Sequence, residues 1–271
     1  ISKKATIGFD AGGTSTDVSR YAGNLEHIYE TVVSEINLQT PQLDISTVAA
    51  GGGSMLFWKN GMFVTGPESA GSDPGPACYR KGGPLTVTDA NLFLNRLLPD
   101  FFPNIFGPTQ DQPLDYELTA EKFRALTDEI NKDKAEEGII LTPEEVASGF
   151  LKVAIESMAR PIRNLTEAKG FETALHNLAS FGGSGGQFAV SLAKNLGISH
   201  VAIHKYSSLL SAHGIQLADI VIEKQSPASF TYSLENFAAI DNKIKYLITS
   251  AQKDCEEQNL LGFKTRLEIL L

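Results

Sequence analysis

The sequence predicts an α/β protein, a mixed sheet flanked by helices, from three observations. Near its start, Ala5 to Asp10 reads as a buried strand and Val18 to Tyr21 as its return across a glycine turn. Further on, residues 175–204 run strand, glycine cluster, helix, strand. That is a βαβ-like unit, whose right-handed crossover makes a parallel pair. Between them Thr142-Pro143-Glu144-Glu145 is a clear helix start, with Thr142 as N-cap, proline at the first position and Glu145 closing a capping box. Local hairpins followed by helix–strand alternation give a mixed sheet with helices packed on it.

The remaining elements follow in order. Ala22-Gly23-Asn24 is a turn, and a third strand of the opening hairpin region is expected near residues 27–33. Met55–Trp58 and Met62–Thr65 flank Asn60-Gly61, a strong hairpin signal. Residues 66–84, rich in Gly, Pro and Ser, read as a long loop. Asp89–Leu98 is a short helix, Pro99–Pro113 a connection and Ala120–Asn131 a polar-faced helix. The helix begun at Thr142 carries Val146, Phe150, Val153, Ala154 and Met158 on one face. Pro161 is expected to kink or end it, with Gly170 as a stop. Leu175–Phe181 is a strand, Gln187–Asn195 a helix capped by Gly197, and His200–His204 another strand. From Leu234 to about Glu257 runs an amphipathic helix with Phe237, Ile240, Ile244 and Leu247 on one face. The expected division is residues 1–225 as one lobe and 226–271 as a helical extension.

A length of 271 residues suits one large domain or two modest ones, and 42% hydrophobic with 20% charged residues is ordinary globular composition. The net charge of -9 argues against a nucleic-acid or anionic-membrane partner. It leaves room for a nucleotide, because backbone amides and a bound cation supply local positive potential. Cys78 and Cys255 have no metal-like spacing, and no apolar run approaches the ~18 residues that cross a membrane. A reduced, cytoplasmic protein is the expectation. The chain begins at Ile1 and ends on the alternating stretch 265–271, which reads as an apolar strand; both suggest a segment of a longer polypeptide.

Two glycine clusters carry the chemistry. In Phe9-Asp10-Ala11-Gly12-Gly13-Thr14-Ser15-Thr16-Asp17, a strand runs into a turn able to offer consecutive amides to phosphate oxygens. Thr14, Ser15 and Thr16 add hydroxyl donors, while Asp10 and Asp17 can each hold hydrated magnesium or orient a water. The bland alternative is a hairpin that needs glycine for its backbone angles. In the second cluster Gly182, Gly183, Gly185, Gly186 and Gln187 lie between a strand and a helix, where backbone can lie against a purine and ribose. Its alternative is close helix–strand packing. In the 66–79 loop Glu68, Asp73 and Cys78 are candidates to bind substrate or metal, and Ser69 to bind substrate, weighed against a rigid structural loop with a buried Cys78. The histidines His200, His204 and His213 read as core or surface residues, and the acidic stretch 120–137 as a solvated face.

The string at 7–21 resembles the hydantoinase A/oxoprolinase family. So do Ala49–Ser54, the 66–79 loop, Thr86–Leu92, the 181–187 cluster and Leu210–Gly214, a match running from about residue 5 to 225. Arg20-Tyr21, Gln42–Ile45 and Tyr79–Gly83 make it most similar to the eukaryotic, 5-oxoproline-cleaving branch. The resemblance implies an actin-like ATPase fold with two ribonuclease-H-like lobes around ATP, this chain being the second. It implies Asp10–Asp17 as the second phosphate motif and Gly182–Gln187 as the adenosine motif. It further implies a small cyclic-amide substrate, ATP with Mg at Asp10, a first lobe absent from this chain, and a homodimer of full-length chains. The related readings are an ATP-dependent hydantoinase or carboxylase subunit, and a non-catalytic nucleotide-binding lobe serving assembly. Phe188 stands where the family commonly has histidine, and Ala11 where a larger residue is frequent.

Overall fold

A computed structural model describes residues 4–28, 31–33, 36–38, 42–227, 229–231, 233–260 and 262–267. Its strands are β1 (Thr6–Ala11), β2 (Thr16–Tyr21), β3 (His27–Ile28), β4 (Thr31–Val33), β5 (Ile36–Leu38), β6 (Gln42–Leu43), β7 (Ile45–Val48), β8 (Ser54–Lys59), β9 (Met62–Ser69), β10 (Asn177–Phe181) and β11 (Val201–Ile203). The helices are α1 (Val87–Phe93), α2 (Tyr116–Asp133), α3 (Pro143–Leu165), α4 (Gly185–Asn195), α5 (Leu210–Leu217) and α6 (Phe237–Glu257).

The central sheet has the order β11-β10-β1-β2-β7. β1 pairs antiparallel with β2 and parallel with β10; β2 pairs antiparallel with β7, and β10 parallel with β11. The period of two sorts β1 cleanly. Ile7, Phe9 and Ala11 are buried on one face, which leaves Gly8 and Asp10 on the other. Asp10 is the register partner of Asp17, so the two carboxylates stand side by side on that second face.

The buried face is covered by α3, whose Phe150, Ala154, Met158 and Ile162 lie in one core with Phe9, Val18, Leu178, Phe188 and Leu192. Phe63 of β9 packs edge-on to Phe150, 4.8 Å between centroids, which ties the β8–β9 hairpin to the same helix. Truncating a ring so enclosed costs roughly 3–5 kcal/mol. Both capping boxes are formed: Thr142 with Glu145 at α3, and Thr86 with Asp89 at α1.

The structure corrects five expectations. The third strand of the sheet is β7 at Ile45–Val48, not residues 27–33. His27–Ile28 pairs with β6 and Thr31–Val33 with β5, in two small ribbons apart from the main sheet, and residues 29–30 lie outside the described ones. The strand that does join the sheet is short and half exposed, so its alternation is faint. Pro161 does not end α3, which continues to Leu165. Burial of Met158, Ile162 and Leu165 outweighs the one backbone bond that proline removes. Helix α1 spans Val87–Phe93 rather than 89–98, because the Thr86 cap starts it early and Leu94 stops it. The loop expected at 66–84 begins later, since β9 runs to Ser69. The expected terminal strand at 265–271 falls partly on residues 268–271, outside the described ones, and residues 265–267 form no strand.

The chain divides into two units, residues 1–213 and 214–271, with the boundary inside α5. The second unit holds α6, on which Ile240, Ile244 and Leu247 are half-buried, Cys255 is buried and Phe237 is exposed. Lys224 pairs with Asp254 at 2.6 Å within it. Among the described residues, no helix is long and apolar enough to cross a membrane.

Candidate functional site

The β1–β2 turn sorts its polar groups. The Gly12 amide closes the turn on the Ser15 carbonyl at 2.9 Å. The carbonyls of Ala11, Gly12 and Gly13 accept from the amides of Ser184 (2.8 Å), Gly52 (3.1 Å) and Gly53 (2.6 Å). The amides of Gly13, Thr14 and Ser15 meet no protein acceptor among the described residues. Gly13 and Thr14 are exposed, and a Cβ on Gly13 would meet nothing within 4 Å. A Cβ on Gly51 would instead strike the Gly12 and Gly13 carbonyls, so the 51–53 glycines are there for close backbone approach. Thr16 is fully buried and its hydroxyl donates to the Ala50 carbonyl at 2.7 Å, so it is a structural anchor and not a free donor.

Asp10 and Asp17 line one small cleft of about 230 Å³ with Ser19, Ile45, Phe181 and Ser211. Each carboxylate has one oxygen engaged by a hydroxyl. Ser211 Oγ donates to Asp10 Oδ2 at 2.6 Å, and Thr47 Oγ1 donates to Asp17 Oδ1 at 2.5 Å. The cleft is smaller than the roughly 300–1,000 Å³ that encloses a drug-sized ligand, so it has room for a phosphate group or hydrated cation, not a whole nucleotide.

The second glycine cluster abuts the first. Gly182 has φ of +82°, and a Cβ there would collide with Asp10 Oδ1 and the Ala11 carbonyl. Its amide donates to the Ser207 carbonyl at 3.0 Å. Gly185 has no room either, as its Cβ would lie 2.7 Å from Ser180 Oγ. Gly183 and Gly186, at the N-terminus of α4, are exposed and open. Thus the five predicted residues divide: Gly182 and Gly185 hold strand to helix, and Gly183 and Gly186 face open space. Gln187 turns inward, accepting from Asn91 Nδ2 at 3.0 Å and reaching Thr88 Oγ1 at 3.4 Å. Phe188 is 1% exposed and belongs to the core, where α4 packs on the sheet.

Of the loop candidates, Ser69 alone is brought to the turn, its hydroxyl 3.3 Å from that of Thr14. Glu68 is exposed, and Asp73 pairs at 3.9 Å with Lys81 while remaining largely in solvent. The loop's anchor is Asp89. It accepts from the amides of Ala77, Cys78 and Thr86 and from the Thr86 hydroxyl at 2.8–3.1 Å. Burial pushes its carboxyl above the ordinary value, opposed by the donors from Cys78 and Thr86. Burial, reinforced by the Asp89 charge, pushes the Cys78 thiol far up, so it is no nucleophile at neutral pH. His204 and His213 stack with centroids 6.1 Å apart, and among the described residues no three His, Cys, Asp or Glu gather as a metal cluster.

Residues 1–224 match the hydantoinase/oxoprolinase family. The chain belongs to that family. This hydantoinase/oxoprolinase chain is 64% identical over 225 residues to the 5-oxoprolinase of Saccharomyces cerevisiae, covering 83% of the chain and 17% of that protein. It is 54% identical over 254 residues to the 5-oxoprolinase of Dictyostelium discoideum, covering 93% and 20%. It therefore spans about a fifth of the length of the curated relatives it matches. The crystal structure of an ATP-dependent caprolactamase from Pseudomonas jessenii superposes with a TM-score of 0.68 at 30% identity, over 80% of this chain and 30% of that one. The family chain is thus a lobe of the actin-like, ribonuclease-H-like ATPase fold, and its sheet, with β1, β2 and β7 in successive antiparallel pairings on one side and the parallel β10 and β11 on the other side of β1, is that architecture.

The residues of this hydantoinase/oxoprolinase lobe fit a nucleotide phosphate with its cation. Three uncommitted amides suit phosphate oxygens, and two carboxylates are the hard oxygen donors magnesium prefers. Sequence reasoning missed Ser211 and Thr47 as partners of these carboxylates. The signal for Ser211 was its place in the Leu210–Gly214 string; for Thr47 there was none.

Proposed function

We propose that the chain is the second, phosphate-gripping lobe of an ATP-dependent cyclic-amide hydrolase that opens 5-oxo-L-proline to L-glutamate. The observation that carries this reading is the pair Asp10 and Asp17, sharing one cleft at the mouth of a turn with three uncommitted amides. Identity of 64% to a named 5-oxoprolinase, against 30% to a caprolactamase, favours the five-membered lactam as substrate.

A five-membered lactam resists water at neutral pH. ATP, when bound, would supply the activation: transfer of its terminal phosphoryl group to the amide oxygen releases ADP, after which water adds at that carbon, the ring C–N bond breaks, and phosphate leaves on hydrolysis of the acyl phosphate that remains. In this lobe Gly13, Thr14 and Ser15 bind phosphate oxygens through their amides. Asp10, with Asp17 beside it, holds the hydrated magnesium and orients its waters. Gly183 and Gly186 would hold the adenosine, while Gly182 and Gly185 keep that surface in place. The small cleft is one wall of the site, and the first lobe of the full-length polypeptide supplies the other.

The test is Asp10→Asn in the full-length polypeptide, following glutamate and ADP together. ATP-coupled glutamate release falls by about 100-fold or more, as expected when a group stabilising transition-state charge is lost. Unchanged turnover sinks the reading. ADP production triggered by hydantoin in preference to 5-oxoproline would move the assignment to a hydantoinase.

A further inference from the structure

The Asp10 carboxylate is held from two sides by segments remote in sequence. On one side is the backbone of Gly182, packed so closely on Oδ1 that no Cβ fits. On the other is Ser211, whose hydroxyl donates to Oδ2 at 2.6 Å across 201 residues of chain. The two sides are themselves joined, because the Gly182 amide donates to the Ser207 carbonyl, in the short turn that leads into α5. Ser211 also lines the cleft that Asp10 and Asp17 share. Its exposed side chain adds little to the core, so the contact is not one that folding requires.

We propose that Ser211 is a positioning residue, fixing the orientation of the Asp10 carboxylate so that Oδ1 is presented to the phosphate-bound cation. This rests on the function proposed above. An aspartate has two side-chain torsions to settle, and a hydroxyl donating to one oxygen settles both while leaving lone pairs on the other for a ligand. The bond is of the short, charge-assisted kind, stronger than one between neutral groups. Partners that orient metal-ligating carboxylates in this way matter to affinity and rate without touching substrate.

The experiment uses the full-length polypeptide with Ser211→Ala, Ser211→Thr, Asp10→Asn and the Ser211→Ala/Asp10→Asn double variant. Steady-state ATP hydrolysis with 5-oxoproline is followed across a magnesium titration, with melting temperatures measured alongside. Ser211→Ala lowers kcat by about 10-fold and raises the magnesium concentration for half-saturation, leaving KM for 5-oxoproline and the melting temperature unchanged. Ser211→Thr, which keeps the hydroxyl, restores most of the rate. The double variant is no slower than Asp10→Asn alone, because the serine acts only through that carboxylate. Ser211→Ala within about twofold of the parent, while Asp10→Asn has lost turnover, overturns the role of Ser211 and leaves the proposed function standing. Losses that multiply in the double variant overturn it as well. Full turnover by Asp10→Asn brings down the functional reading and this inference together.

Discussion

Asp10 and Asp17 are direct register partners across the β1–β2 ladder, and each is hydrogen-bonded to a hydroxyl from a distant part of the chain. Two carboxylates this close repel, and the repulsion is relieved by donors or a shared cation. The arrangement makes Asp17 dependent on Thr47, which reaches it from β7 at 2.5 Å. Thr47→Val keeps the shape and removes the donor. In the full-length polypeptide it is expected to lower ATP turnover several-fold, on the order of the 1 kcal/mol that such a bond contributes, while Thr47→Ser stays near the parent. Equal rates for the valine and serine variants would contradict this.

The glycines of the second cluster separate by stability. Gly182→Ala places a methyl against Asp10 Oδ1 and the Ala11 carbonyl at a positive φ, and is expected to destabilise by about 1–3 kcal/mol. Gly183→Ala meets open space and is expected to leave the unfolding midpoint within about 0.5 kcal/mol. Urea unfolding of the two variants side by side measures the difference.

Arg20 Nε donates to His176 Nε2 at 2.9 Å, and both residues are buried. Nε2 is thus the acceptor of the ring, and Nδ1 donates to the Glu172 carbonyl at 3.0 Å. The guanidinium also lies 3.6 Å over the Phe171 ring and pairs with Glu26. His176→Leu removes the acceptor and strands a buried N–H, at an expected cost of about 1–3 kcal/mol. Chemical denaturation checks it; a leucine variant as stable as the parent would count against the bond.

Lys169 bridges Asp44 and Glu26. Burial alone lowers its ammonium, but the hydrogen bond and charge of Asp44, with those of Glu26, more than offset it and hold the group above its ordinary value. A group raised on folding contributes stability that is complete below the unfolded value, about 10.4, and lost as pH rises through the folded one. The melting-temperature gap between the parent and Lys169→Met is thus expected to be constant from pH 6 to about 9 and to close at higher pH. With the side chain 38% exposed, the gap is small and shrinks in salt.

What the sequence disclosed follows range of interaction. The β1–β2 hairpin, the Thr142–Glu145 capping box and the βαβ unit are written in stretches contiguous in sequence, and each formed as read. β7 was illegible because Ile45 is exposed and Ser46 and Thr47 are polar; its membership of the sheet is decided by β2, not by its own pattern. That the helix runs on past Pro161 to Leu165 was not legible, because proline's local cost is visible in sequence and the packing of its neighbours is not. At the site, the turn could be read and its partners could not: Ser211 lies 201 residues from Asp10 and Thr47 lies 30 from Asp17. No local rule reports such distances.

The Gly51–Gly53 backbone takes up the carbonyls of Gly12 and Gly13, and Ser184 that of Ala11. The turn is left electrically lopsided: the carbonyls of Ala11, Gly12 and Gly13 are taken up, while the amides of Gly13, Thr14 and Ser15 meet no protein acceptor among the described residues. Peptide groups do not ionise. A surface polarised in this manner attracts anions with a strength that neither acid nor base can retune.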